Sequence, residues 1–304
     1  MTAAMSDSNK GGINYDVLWL VALASIWGSS FAAIKIAVNT MPPMTMVAVR
    51  TLIAVVILCP IMALTRSRIP TDKKSWQIGM VLGVFGIALP FFLIGWGELR
   101  VQSGLAAILM AVMPLTTIIL AHFFNKDDRF TYTRLIGVII GFCGVIVLVG
   151  PEALKGFGSS VFYQLAIAAA AVCYAINAVL TRNLPTGEHV GSMIGRAFMV
   201  MVCGAAITIP LALIMDGSTA FLQADANAWY ATIYLGILPT GLATLIYFYL
   251  VEGRGAAFFS FVNYLNPVFG VFWGALLLSE QVSLQAIVAL VLILSGIAAA
   301  NLKH

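Results

Sequence analysis

Apolar residues run along this chain in blocks of about twenty, separated by short clusters of polar, glycine and proline residues. The blocks lie at 17–37, 44–64, 75–95, 101–122, 132–150, 161–181, 191–214, 228–250, 256–278 and 283–302. The clusters between them read "NTMPP", "TRSRIPTDKK", "WGELR", "NKDDRFT", "PEALKGFGSS", "RNLPTGEH", "DGSTAFLQADAN", "EGRG" and "LSEQ". About 20 apolar residues cross a bilayer, and only helices or closed barrels satisfy their backbone there. Continuous apolar runs without alternation predict helices, so the expected fold is all-α and integral to a membrane, with ten spans. Residues 1–16 are polar and Gly/Ser-rich, and we read them as a disordered tail. No small-residue cleavage site follows the first apolar block, which is therefore read as a retained span.

The placement of charge orients the spans. Ten crossings put both termini on one side, and that side holds Lys10, Arg66, Arg68, Lys73, Lys74, Lys126, Arg129, Arg134, Arg182, Arg254 and Lys303. The opposite loops hold only Arg100 and Lys155. The positive-inside rule then places both termini in the cytoplasm, across a bacterial inner membrane. Composition agrees: 61% of the 304 residues are hydrophobic and only 9% charged, against about a quarter charged in a soluble domain. The net charge of +4 comes with no basic run, so nucleic-acid binding is not expected. Cys59, Cys143, Cys173 and Cys203 all lie in apolar blocks without metal or CxxC spacing and read as small core residues. His122, His189 and His304 are scattered. No metal and no cofactor is expected.

The second half repeats the first. "GELRVQSGLAAILMAVMP" ends at Pro114 and "VEGRGAAFFSFVNYLNP" at Pro267. Glu98 and Arg100 return as Glu252 and Arg254, Gly83 as Gly236, Asp128 as Glu280 and Gly144 as Gly296. Trp27 aligns with Tyr174, Lys35 with Arg182, and Arg50 with Arg196. The constant order marks a duplicated unit, with repeats at 17–150 and 161–302. Each unit holds five spans, an odd number, so the second copy crosses the membrane upside down. Inverted repeats of this kind build secondary transporters, with a site between the halves.

The chain resembles EamA-type carriers of the drug/metabolite transporter superfamily. The resemblance rests on Trp27-Gly28-Ser29-Ser30-Phe31 with Lys35 in span 1, Arg50 in span 2, Pro114 in span 4 and Pro267 in span 9. "LLLSEQVSLQAIVALVLILSG" with Glu280 is similar to the family's closing pattern. Within the family it looks most like the bacterial branch that exports amino acids, aromatic ones included. The resemblance implies two inverted five-helix repeats around a central cavity, with spans 5 and 10 at the periphery. "NKDD" departs from the usual acidic signature of the first half.

Residues at membrane depth that are costly there are the candidates for the site. Trp27 to Ser30 lie ~15–20 Å into span 1, and Trp27, Ser30, Phe31 and Ile34 share a helical face. Tryptophan usually sits at the interface, and a buried indole needs a partner for its N–H, so we read Trp27 as lining a cavity. Gly28 and Ser29 read as close-packing positions. Span 9 aligns Ser260, Asn263, Tyr264 and Pro267. Pro267 leaves the carbonyl of residue 263 without a donor, and Pro114 does the same at Met110; the two prolines are hinge candidates or plain kinks. Span 6 adds Tyr174, Asn177 and Thr181, span 8 adds Thr240, Thr244 and Tyr247, and span 3 adds Phe85, Phe92 and Trp96. These positions describe an aromatic, hydrogen-bonding cavity with no buried acid.

Intramembrane charges complete the set. Lys35 is read as a gating group or as a side chain snorkelling to the interface. Arg50, about 9 Å inside its boundary, is read as pairing with Glu98, and Arg196 with Glu252. No HExxH or GxSxG motif and no mid-span Asp or Glu is present, so an enzyme is not expected. The expected function is alternating-access export of an amino acid or similar small amphiphile, by a monomer in the lipid bilayer. Nucleosides, purines and sugar-like metabolites are the alternative substrates. Facilitative transport is expected, because the carboxylates lie in loops or at span edges; a proton-coupled antiporter is the alternative.

Overall fold

With no water to bond the backbone inside a bilayer, an apolar run satisfies its own N–H and C=O groups by coiling. The computed structural model describes residues 15–124, 131–149, 159–182 and 191–301. Among them every regular element is helical. Span 1 is Tyr15–Ala37 and span 2 Pro43–Leu64. Span 3 runs as Lys73–Gly83, Val84–Ala88 and Leu89–Glu98, and span 4 as Ser103–Met110 and Val112–Phe124. Spans 5, 6 and 7 are Tyr132–Val149, Ser159–Arg182 and Met193–Met215. Span 8 comprises Ala226–Leu235, Gly236–Leu242 and Ala243–Phe259; spans 9 and 10 are Val262–Leu278 and Leu284–Asn301. We call the end holding residues 15 and 301 the terminal face and the other the distal face. The disordered reading of residues 1–16 falls largely outside the described residues, as do Asp128 and the side chain of Glu252.

One span boundary and one span interior differ from expectation. "EGRG" was read as the turn between spans 8 and 9, but the helix continues through it to Phe259 and the chain turns at Ser260–Phe261. Arg254 lies inside this helix, its Nε 3.1 Å from an Asp16 carboxylate oxygen at the start of span 1. Polar residues at the membrane surface can end a hydrophobic run without ending a helix. Span 4 is interrupted at Ala111, three residues before Pro114, where the Ala111 N–H bonds back to Ile108 at 3.0 Å. Pro267, by contrast, sits inside an unbroken helix, so of the two hinge candidates only Pro114 adjoins a break.

Spans 3 and 8 each widen into a π-helical segment, Val84–Ala88 and Gly236–Leu242. Proline accounts for both. Pro90 has no N–H for the carbonyl at 86, and Pro239 none for the carbonyl at 235, and a wider turn relieves the clash. The segments occupy mirrored places in the two repeats.

Packing follows the same mirror. If span 1 corresponds to 6, 2 to 7, 3 to 8, 4 to 9 and 5 to 10, then the observed pair 1·9 maps onto 6·4, 3·6 onto 8·1, and 2·8 onto 7·3, all of which are present. Pairs 2·7, 4·9 and 5·10 map onto themselves and are also present. Glycine permits the closest crossings. A Cβ on Gly137 in span 5 would lie 2.5 Å from the Gly296 carbonyl of span 10. One on Gly270 of span 9 would lie 2.1 Å from Ala107 Cβ of span 4. Outside this core, large apolar side chains such as Val56, Ile146, Phe162 and Ile214 are exposed, as a lipid-facing surface requires.

Gly28 tests this packing. A Cβ there would meet Phe269 Cβ at 2.6 Å and the Gly270 nitrogen at 2.9 Å, so Gly28→Ala is expected to destabilise by about 1–3 kcal/mol through overpacking. A Cβ at Gly253 meets nothing within 4 Å, so Gly253→Ala is expected to stabilise by about 0.5–1 kcal/mol. Thermal melts of the purified variants followed by size exclusion should move in opposite directions; a neutral Gly28→Ala would contradict the span 1–span 9 contact.

Candidate functional site

Trp27 has the partner its depth demands. Its indole N–H donates to the carbonyl of Pro239 at 3.1 Å, in the π segment of span 8. Tyr247 and Phe259 pack beside the ring, with centroids 6.4 and 6.0 Å away. Trp27 and Tyr247, nominated separately from spans 1 and 8, thus come together. The Trp27 N–H is already engaged, so what the half-buried ring offers a ligand is its aromatic face. Ser30 Oγ donates to the Trp27 carbonyl on its own helix, and Phe31 is buried. Ser29 shares a 2.6 Å hydrogen bond with the Tyr234 hydroxyl of span 8. Gly28 is the packing position it was read to be.

Arg50 reaches the same π segment from span 2. It is buried, and its Nε and Nη2 donate to Thr240 Oγ1 at 3.2 and 2.8 Å. Its guanidinium carbon lies 3.8 Å from the centre of the Phe91 ring in span 3, a stacked cation–π contact. Thr244 Oγ1 donates to the Thr240 carbonyl at 2.7 Å. The expected Arg50–Glu98 ion pair is not formed. A hydroxyl and an aromatic face hold the guanidinium where a carboxylate was expected, because the π turn presents Thr240 to it. Arg196, its repeat mate, is half-buried near the start of span 7; its expected partner Glu252 is outside the described side chains.

The distal face is built from helix ends satisfied by side chains from elsewhere. Lys35 is half-buried and bonded to backbone carbonyls. Its ammonium donates to the carbonyl of Glu98, the last residue of span 3, and to that of Val101 in the following turn at 3.0 Å, favourable also for the helix dipole. Glu280, following span 9, accepts from Ser103 N at 2.7 Å, Ser103 Oγ at 3.0 Å and Gly104 N at 2.9 Å, capping span 4. Asp216, following span 7, accepts from Thr45 N and Thr45 Oγ1, both at 2.8 Å, near the start of span 2. Second-half carboxylates therefore cap first-half helices.

Glu98 corrects the expectation of no buried acid. It is 0% exposed, and neither carboxyl oxygen has a hydrogen-bond partner. The residue does end its span, but that end is packed among spans 1, 2, 4 and 6. Sequence position alone does not show that a span edge is enclosed.

The remaining candidates fall into separate contacts. Trp96 stacks on Tyr163 of span 6 with centroids 4.4 Å apart. Met110, Tyr174 and Tyr264 all pack against the largest buried cluster. A Cβ on Gly86 would lie 2.8 Å from Asn177 Oδ1, so Asn177 lies over the π segment of span 3. Ser260 and Asn263 are half-buried at the turn into span 9. Pro239, Tyr163 and Asn266, whose buried Oδ1 lacks a partner, were not nominated; the proline inside "GILPTGL" was the available signal for the first. Two pockets are described. One of about 290 Å³ at the distal face is lined by Gln102, Gln164, Glu280 and Gln285, among others. The other, about 650 Å³, lies between spans 1, 8 and 9 and includes Ser29, Tyr234 and Trp273. Neither includes the nominated substrate residues.

Comparison with known proteins agrees with this architecture. A model described as the EamA-like transporter family matches residues 14–150 and again 161–302. An uncharacterized transporter of Archaeoglobus fulgidus is 28% identical, over 92% of this chain and 96% of its own. The uncharacterized transporter YoaV of Bacillus subtilis is 25% identical over 92% and 94% of the two chains. The uncharacterized inner membrane transporter YedA of Escherichia coli is 26% identical over 87% and 83%. A crystal structure covering 95% of this chain and 98% of its own superposes with a TM-score of 0.65 at 22% identity, a likeness of fold. With both repeats matched, the chain belongs to the EamA-like transporter family and is a multi-pass membrane transporter, not an enzyme.

Proposed function

We propose that this transporter exports small amphiphilic metabolites, zwitterionic amino acids first among them, by alternating access between its halves at 17–150 and 161–302. The observation that carries the reading is the joint at the span 8 π segment. There Trp27 and Arg50 of one half are hydrogen-bonded to Pro239 and Thr240 of the other. The half-buried Trp27, Tyr247, Asn263 and Tyr264 offer aromatic faces and an amide to a neutral amphiphile with polar ends. Nucleosides present the same chemistry and belong in the same screen. Uptake of labelled amino acids and nucleosides into proteoliposomes, with saturation and trans-stimulation, tests the reading; leak without either would describe a channel. Coupling to protons is a second reading, favoured by the burial of Glu98.

The orientation proposed from the basic loops puts the terminal face in the cytoplasm and the transporter, as a monomer, in the inner membrane. Single cysteines at Ser67 and Ser159, in a cysteine-free background, should label from opposite sides, Ser67 from the cytoplasm. Labelling of both from one side would remove the inverted arrangement.

Substrate contact is expected at Trp27 and at Asn263. Trp27→Ala and Asn263→Ala should each lower flux about tenfold, the worth of one good hydrogen bond or ring contact, with membrane expression unchanged. Normal flux of every accepted substrate in both variants would make these residues packing and move the site elsewhere.

A further inference from the structure

Glu98 is the buried polar group that the packing of this protein leaves unexplained. Its side chain is 0% exposed and both carboxyl oxygens lack hydrogen bonds. A carboxylate in such a place costs several kcal/mol unless a cation or donors meet it. Its charged neighbours are Lys35 of span 1, Glu280 beyond span 9 and Arg50 of span 2. Lys35 is committed to the carbonyls of Glu98 and Val101. Arg50 is committed to Thr240 and the Phe91 ring. Glu280 carries a like charge and is held by Ser103 and Gly104. Arg100 lies in the turn that follows, near Lys35. Span 6 brings Tyr163, stacked on Trp96, and Tyr174, close to Arg50. In this arrangement no hydrogen bond meets a negative charge on Glu98, and the two cations near it are engaged with other partners.

We propose that Glu98 exchanges a proton for the transported substrate, carrying the proton in this conformation and pairing as a carboxylate with Lys35 in the alternate one. The proton passes from the Glu98 carboxyl to water on the side to which the site has opened. The charge left behind is met by the Lys35 ammonium as it leaves the end of span 3. Lys35 alternates between two acceptors, the carbonyls that close span 3 and the carboxylate beside them, so loss of the proton loosens the distal end of that helix. The inference rests on the carrier reading above and makes Glu98 its coupling residue, with Lys35 positioning it.

Infrared difference spectra of the purified protein between acid and alkaline pH test the protonation without a known ligand. The wild type should show the carbonyl stretch of a protonated carboxyl that disappears on titration. The hydrated carboxyls titrate too, so the diagnostic band is the high-frequency stretch of a carboxyl without hydrogen bonds; Glu98→Gln should lose it, and Glu98→Asp, which keeps the acid, should retain it. Proteoliposomes with an internal pH dye, given the labelled amino acid that the screen finds transported, should show proton movement with substrate in the wild type and in Glu98→Asp, but none in Glu98→Gln. A wild type without that high-frequency band overturns the proposal whether or not the variant folds, and so does a band that persists in Glu98→Gln. So does substrate flux without proton movement, which leaves the carrier reading standing, whereas absence of saturable flux for all substrates defeats both.

Discussion

A polar donor inside a membrane span has to find its acceptor within the protein, and in this transporter that requirement joins the two halves. Pro239 cannot donate, so span 8 opens into the π segment Gly236–Leu242. The acceptors exposed there are taken up from spans 1 and 2, the Pro239 carbonyl by Trp27 and the Thr240 hydroxyl by Arg50. A tryptophan and an arginine at depth, each costly alone, thereby find their acceptors in the segment that the proline widens. Removing one member would leave the others unpaired in a medium that supplies no substitute. The joint is consequently specific, but it consists of a few directional bonds that two helices can make and break together.

Hydrophobic periodicity made the ten spans legible, and the odd number of spans per repeat made the inversion legible, because both follow from the thickness and polarity of the solvent. Trp27 was marked out by the same reasoning: an indole at that depth needs an acceptor, and Pro239 supplies it. What the sequence could not show was which acceptor. Trp27 and Pro239 are separated by 212 positions, and the π segment arises from a backbone adjustment with no residue pattern of its own beyond the proline. Glu98 was misread for a related reason. Its place at the end of a span suggested hydration, whereas exposure is set by neighbouring helices, here spans 1, 2, 4 and 6. "EGRG" misled in the opposite sense, because charge predicts the membrane boundary and a helix is free to continue past it.

The distal face shows how buried helix ends are held by charged side chains from neighbouring spans. Span 3 ends on Lys35, span 4 begins on Glu280, and span 2 begins near Asp216. Each charge neutralises the helix terminus it meets, so what looks in sequence like isolated intramembrane charge is local dipole compensation. Capping across the halves also couples them. If the halves rock, Glu280 and Asp216 must travel with span 4 and span 2 or surrender their bonds, and this sets an energetic threshold for opening at that end.

The mirror between the repeats governs contacts more faithfully than chemistry, and the difference has a consequence for transport. Under the register that relates Gly83 to Gly236, Pro239 corresponds to Gly86 and Thr240 to Ile87. Trp27 on Pro239 is accordingly matched by Asn177 over Gly86, one aromatic and bonded to a carbonyl, the other a small amide. Ile87 has no hydroxyl to offer and packs instead where a Cβ on Gly204 would approach its Cγ2 to 2.8 Å. The π segment of span 3 is therefore sealed by apolar packing, while that of span 8 is tied by hydrogen bonds. A duplicated, inverted scaffold supplies two related conformations of similar packing. Movement of one half against the other would therefore break hydrogen bonds at residues 239–240 and apolar packing at residues 86–87, an asymmetry that lies away from the loops at either face.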